Sequence, residues 1–128
     1  MFASSRQREE LIDVTAQVRR LVRASGVQNG LIHLWSLHTT CALTVNEGAD
    51  PDVALDLVRI LRGLVPQEGP YRHQEGNSDA HLKTSLFGPG LTLIIENNQL
   101  MLGTWQHVFL AEWDGPRERQ IAYLILSA

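Results

Sequence analysis

The segment Leu91–Leu126, LTLIIENNQLMLGTWQHVFLAEWDGPRERQIAYLIL, decides how this chain is built. It divides into four apolar runs: LTLIIEN, Leu100 to Thr104, WQHVFLAEW and ERQIAYLIL. Asn97-Asn98-Gln99 and Asp114-Gly115-Pro116 separate them, and these residue types turn the chain because they tolerate or pre-set the backbone angles a turn needs. The last third of the chain is therefore expected to be antiparallel sheet.

Upstream, the periodicity changes. Val14, Val18, Leu21 and Val22 follow helical spacing, with Asp13 or Thr15 as the cap and Gly26 as the stop. Gly30 opens a strand, LIHLWSL, whose alternation puts Ile32, Leu34, Ser36 and His38 on one face and Leu31, His33, Trp35 and Leu37 on the other. Cys41 to Val45 reads as a second strand, and the polar first residues as an edge strand. Asp50-Pro51 starts a helix running to about Leu64, expected to bury Val53, Leu57, Val58, Ile60, Leu61 and Leu64. Pro66 to Gly76 is an exposed loop. Asn77 or Ser78 caps a short helix through Leu86, closed by Gly88-Pro89-Gly90. Two or three short helices on a mainly antiparallel β-sheet or sandwich make a single compact α+β domain over residues 1–128.

Composition bounds the function. The 128 residues are 44% hydrophobic and 20% charged, with a formal net charge of −3, which argues against a nucleic-acid backbone binder. Cys41 is the single cysteine, so no intrachain disulfide framework exists, and its apolar neighbours suit a buried hydrophobe. No run approaches a membrane span, and the N-terminus lacks a signal-peptide core, so a cytoplasmic protein is expected.

Two polar stretches carry candidate chemistry: LHTTCALTVNEGADPD (Leu37–Asp52) and YRHQEGNSDAHLK (Tyr71–Lys83). Histidine concentrated with carboxylate at element ends is what a metal-assisted or acid–base site requires. His38, His73 and His81 are candidate metal ligands, although their spacing is no local motif and scattered surface histidines are the alternative. Three imidazoles suit zinc or another transition metal, with magnesium a further candidate. Glu47, at a strand end, is a candidate general acid or base, His38 a second catalytic candidate, and Asp79 either an outer acceptor or a favourable acid at a helix start. Thr39, Thr40, Asn46 and Lys83 are candidates for binding phosphate oxygens. Gly103-Thr104-Trp105-Gln106 offers either a pocket wall or a core tryptophan at a bulge. Asp50 is better explained as a helix cap, His107 as a packed histidine, and Arg117 and Arg119 as solvated.

The blocks HTTCALTVNEGADPDV, YRHQEGNSDAHLKTSLFGPGLTL and LGTWQHVFLAEWDGPRERQ, taken in order, resemble the YjbQ-type family, also called the secondary thiamine-phosphate synthase family. The resemblance implies an α+β homotrimer with a polar site near subunit boundaries. The matching positions are His38, Thr39, Thr40, Asn46, Glu47, His73, His81 and Gly103 to Gln106. It also implies an enzyme that joins a pyrimidine diphosphate to a thiazole phosphate with release of pyrophosphate. Two departures stand out: His107 occupies a position where relatives tend to carry a small or amide residue, and the loop from Gln74 to Asp79 varies among them. Three imidazoles and no glycine-rich phosphate loop fit a dedicated pyrophosphate enzyme imperfectly. The competing readings are a metal-dependent hydrolase or lyase acting on a small phosphorylated or anionic compound, and a non-catalytic trimer that binds metal or anion.

Overall fold

The computed structural model describes the whole chain, Met1–Ala128. Its elements in order are β1 (Phe2–Ser4), β2 (Glu10–Asp13), α1 (Thr15–Ser25), β3 (Gly30–Ser36), β4 (Cys41–Glu47), α2 (Pro51–Leu64), α3 (Ser78–Phe87), β5 (Gly90–Glu96), β6 (Gln99–Leu100), β7 (Gln106–Glu112) and β8 (Glu118–Ser127). They form two sheets, β1-β8-β3-β5-β6 and β2-β7-β4, in which every pairing is antiparallel. This is the α+β class expected from the sequence. No helix is long and apolar enough to cross a membrane.

The main core draws on both sheets. Ile32 and Leu34 of β3, Leu93 and Ile95 of β5 and Ile121 of β8 meet Cys41 and Leu43 of β4 and Val108 and Leu110 of β7. Val18 and Val22 of α1, with Val14 just before it, complete the same cluster and are fully buried, each burial contributing about 1.5–3 kcal/mol. A second cluster lies on the opposite face of β4 and β7. There the small residues Ala42 and Ala111 admit Val58 of α2, Ala80 of α3 and Trp113. Helix α3, which carries Asp79, His81 and Lys83, is thus packed together with α2 on the outer face of the three-stranded sheet.

Local chemistry explains the boundaries. Asp50 Oδ1 accepts the Asp52 N–H at 2.9 Å and Pro51 is the first residue of α2, while Gly26 closes α1 at φ +70°. Asn97 and Asn98 both take positive φ, which is the two-residue loop that the register Ile95↔Leu100 and Glu96↔Gln99 requires.

Several expectations need correction. Strand β2 was not anticipated, because four residues between a polar segment and a helix carry too little alternation. The run Leu100 to Thr104 is strand only through Leu100, because Gly103 is held in a turn with Gln106. In α2 only Val58 is fully buried, and Ile60 and Leu64 face outward at 54% and 72% exposure. Arg119 is not solvated: it is buried in β8 on the face that carries Ile121.

The outer face of the five-stranded sheet is apolar. Leu31 aligns with Ile94 and Leu126, His33 with Thr92 and Leu124, and Trp35 with Gly90 and Ala122. Trp35, Ile94, Leu124 and Leu126 are each about half exposed.

Candidate functional site

The candidate residues gather into three groups. The first sits where β4 and β7 end together. Glu47 is the register partner of Gln106, and Asn46 that of His107. Asn46 Oδ1 accepts the Glu47 N–H at 2.8 Å, and the Gly48 N–H donates to Trp105 O at 3.0 Å. Gln106 bends back so that its Oε1 accepts the Gly103 N–H at 2.8 Å while its own N–H donates to Gly103 O at 3.0 Å. These bonds lock the Gly103–Gln106 turn against the Asn46–Gly48 turn. Trp105 is left 62% exposed, so it is not a core residue, and Glu47 on the neighbouring strand end is half-buried.

The second group lies at the other end of β4, about 20 Å away at ordinary strand rise. His38 Nε2 accepts the Gln120 N–H at 2.8 Å. Burial and then the Arg119 charge lower the His38 pKa, so the ring is neutral at pH 7. A neutral ring that accepts at Nε2 carries its proton on Nδ1, and that N–H is what it can offer a ligand. Thr39 is exposed beside it. Thr40 is already engaged: its Oγ1 accepts from Arg119 Nη2 at 2.9 Å. Arg119 also forks onto both oxygens of fully buried Glu112. Burial alone would disfavour the guanidinium charge, and Glu112 more than offsets it.

The third group surrounds the start of α3. The His73 and His81 rings lie 5.5 Å apart, edge to face, and with Ser78 line a cavity of about 310 Å³. Asp79 and Lys83, on the same helix, point the other way into a buried network. Asp79 accepts two bonds from Arg8, at 2.9 and 3.0 Å, and one from Lys83 Nζ at 3.0 Å. Lys83 also donates to Glu9 at 2.8 Å, and Arg62 reaches Glu9 at 3.2 Å. Both Asp79 and Lys83 are wholly excluded from solvent. Neither presents a free group to the His73–His81 cavity.

The fold therefore brings His73 to His81, and Asn46 and Glu47 to Gly103–Gln106, but leaves His38 apart from both. No cluster of three or more histidine, cysteine or carboxylate side chains within one chain could hold a metal. The expected three-histidine set is thus not assembled in a single copy, and His38 Nε2 is engaged by the Gln120 backbone N–H. The donor chemistry of His73 and His81 fits two ligand positions and no more.

Sequence reasoning missed Arg8, Glu9 and Glu112. Only Arg119 carried a readable signal, since alternation along β8 puts it on the same side as Ile121. The lone cysteine behaves as expected: Cys41 is fully buried, and burial pushes its thiol pKa up.

Comparison with known proteins identifies relatives along the whole chain. The family profile described as UPF0047 protein YjbQ-like matches residues 2–128. A UPF0047 protein of Methanocaldococcus jannaschii is 43% identical over 121 residues, covering 94% of this chain and 88% of that one. YugU of Bacillus subtilis, also a UPF0047 protein, is 42% identical over 114 residues, covering 88% and 86%. A solved structure from Clostridium acetobutylicum, described as a conserved protein of the yjbq/upf0047 family, superposes with TM-score 0.96 at 42% identity, covering 98% of each chain. A protein from Sulfolobus solfataricus described as YbjQ-like superposes with TM-score 0.95 at 31% identity, covering 100% of this chain and 94% of that one.

Proposed function

Because this chain belongs to the YjbQ-like UPF0047 family, we propose that it is a small homotrimeric enzyme with secondary thiamine-phosphate synthase activity. The observation that carries the reading is the locked turn that sets exposed Trp105 next to the end of β4, where Gly48 N–H donates to Trp105 O and Glu47 pairs in register with Gln106. An aromatic face next to a carboxylate suits a flat heterocycle that becomes cationic as it reacts.

In the transfer, the bond between the pyrimidine methylene carbon and the diphosphate oxygen breaks, and pyrophosphate leaves with the electron pair. The thiazole nitrogen lone pair then closes the new C–N bond. No proton has to move in that exchange, so Glu47 acts by stabilising developing positive charge and not as a base. Gln106 and Asn46 hold the turn that aims it. The Nδ1–H of neutral His38 and the Thr39 hydroxyl are donors suited to phosphate oxygens. A divalent metal, when bound, would neutralise leaving-group oxygens; His73 and His81 would hold it, and imidazole donors favour zinc or a similar transition ion over magnesium. Its remaining donors would come from a second copy. The exposed apolar sheet face around Trp35, Ile94, Leu124 and Leu126 is the surface that supports the trimer. Charged, phosphorylated substrates place the activity in the cytoplasm.

Hydrolysis of a small phosphorylated compound is a second reading, favoured by the adjacent, accessible His73 and His81 rings. In that chemistry Glu47 would have to take a proton from water.

The test is incubation of metal-loaded protein with hydroxymethylpyrimidine diphosphate and thiazole phosphate, following thiamine phosphate and pyrophosphate by mass spectrometry. Metal content is measured in parallel for the parent and for His81→Ala. Thiamine phosphate formed in step with pyrophosphate, with metal lost in His81→Ala, is the expected result. Phosphate released without coupled product, and abolished in Glu47→Gln, would move the assignment to hydrolysis. Neither product, with no metal retained, would refute both readings.

A further inference from the structure

We propose that Arg19, Arg20 and Arg23 of α1 form a second binding site, for a small molecule carrying a diphosphate group. The chain has a formal net charge of −3, yet these three guanidiniums lie within five residues on one helix. All are exposed and none makes an ion pair, as is also true of the isolated Arg6 and Arg72, whereas Arg8, Arg59, Arg62, Arg117, Arg119 and Lys83 are paired. The spacings from 19 to 23 and from 20 to 23 set like charges on one helix face, roughly 5–6 Å apart at Cβ, an arrangement that destabilises a helix until an anion relieves it.

The surroundings are concave and fixed. A cavity of about 510 Å³ is lined by the three arginines with Asp13, Thr15 and His107, and a neighbouring one of about 200 Å³ by Arg19 and Arg23 with Asn98 and Gln99. Arg19 and Arg23 are the wall the two cavities share. The larger volume falls in the range of roughly 300–1,000 Å³ usual for small-molecule sites.

Asp13, the one carboxylate in these walls, is already committed. Its Oδ2 accepts from His107 Nδ1 at 2.6 Å and its Oδ1 from the Thr15 N–H at 2.9 Å, and it makes no ion pair with the arginines. On the other side, Asn98 Nδ2 donates to Val22 O and Val27 O, both at 2.9 Å, pinning the β5–β6 turn against the end of α1. Planar guanidiniums converging on a preformed hollow match the paired oxygens of a diphosphate. His107 also packs against Gly48, next to Glu47, so the hollow adjoins the candidate site across one side chain. The inference does not depend on the transferase reading.

Calorimetric titration of the full chain with inorganic pyrophosphate, at fixed ionic strength, tests it. A saturable event that depends on Arg19 and Arg23 is expected, separate from product binding at the His38 and Thr39 donors, with inorganic phosphate binding more weakly. Arg19→Gln/Arg23→Gln should weaken pyrophosphate at least ~10-fold, as loss of two charge-assisted contacts implies. The charge-matched control Arg6→Gln/Arg59→Gln, also at exposed positions, should stay within about twofold of the parent. Melting curves verify that both variants remain folded. Equal weakening in both doubles would mean general charge attraction and overturn the site. So would parent-like affinity in Arg19→Gln/Arg23→Gln, or no saturation at millimolar pyrophosphate. Binding of a duplex oligonucleotide through these arginines while pyrophosphate fails to saturate would overturn it in favour of a nucleic-acid surface.

Discussion

Replacing Asp79 by asparagine keeps the side-chain shape and removes one charge from a network whose centre, Asp79 and Lys83, is fully buried. In the parent, Arg8, Lys83 and Arg62 share the carboxylates of Asp79 and Glu9 through bonds of 2.8–3.2 Å. Asp79→Asn leaves those three cations to Glu9 alone, with Lys83 still wholly buried. Removing one partner of a buried pair costs about 3–5 kcal/mol. For a chain of this length that corresponds to a fall in Tm of about 10–20 °C. The pH dependence has a defined sign. Burial works to raise the Asp79 pKa, but the bonds from Arg8 and Lys83 outweigh it and hold the carboxyl below the ordinary range. A depressed folded-state pKa gives stability that is complete above the unfolded value, near ~3.9, and is lost as pH falls through the folded one. The difference between parent and variant should therefore be full at pH 7 and shrink below about pH 4. Urea midpoints by circular dichroism at both pH values, with thermal melts at pH 7, measure it. Lys83→Met on the Asp79→Asn background should recover part of the loss, because no cation is then stranded at position 83. An Asp79→Asn Tm within about 3 °C of the parent at pH 7 would refute the network as a source of stability.

Arg119→Lys should lower stability by about 2–4 kcal/mol in urea denaturation, since a lysine cannot reproduce the fork onto buried Glu112 and the bond to Thr40. Gly48→Ala places a methyl group on the His107 ring, so a loss of about 1–3 kcal/mol is expected. His107→Ala in the same chain should restore part of that loss. Trp35→Glu with Leu124→Glu puts charge on the exposed apolar sheet face; light scattering at micromolar concentration should give a trimer mass for the parent, as proposed, and a monomer mass for this variant.

The parts of the fold that repeat were legible in the sequence. Alternation through LIHLWSL separated the buried Ile32, Leu34 and Ser36 from the exposed Trp35 and Leu37, and Asp50-Pro51 marked the start of α2. The parts that depend on distant partners were not. Arg8 and Glu9 look like solvated surface until the fold brings them to Asp79 and Lys83, more than seventy residues along the chain. Helical spacing likewise cannot tell which apolar residues of α2 find a neighbour: Val58 meets Ala42 and Ala111, while Ile60 and Leu64 find none within one copy. At the candidate site, the sequence supplied Glu47 and the Gly103–Gln106 turn as separate blocks, and register alone joined them. It offered His38 as an equal of His73 and His81, because backbone capture of a ring nitrogen leaves no trace in composition.

The separation of these groups bears on how one site could use them all. Along β4, Thr40 and Glu47 stand at opposite ends of a strand spanning about 20 Å, longer than a single diphosphate could bridge. Helix α3 packs through Ala80 on Ala42, at the Thr40 end of this strand, so in the proposed trimer a site that uses both Glu47 and the His73–His81 pair would draw them from different copies. Mixing inactive chains tests this directly. Glu47→Gln and His81→Ala chains, unfolded together in equal amounts and refolded, assemble at random. A site built across a head-to-tail boundary regains both intact residues in about one quarter of cases. Activity near that fraction of the parent, absent when the two variants are refolded separately and then mixed, is the expected outcome. No recovery from the co-refolded mixture, with mixed oligomers verified by mass, would confine the site to one chain.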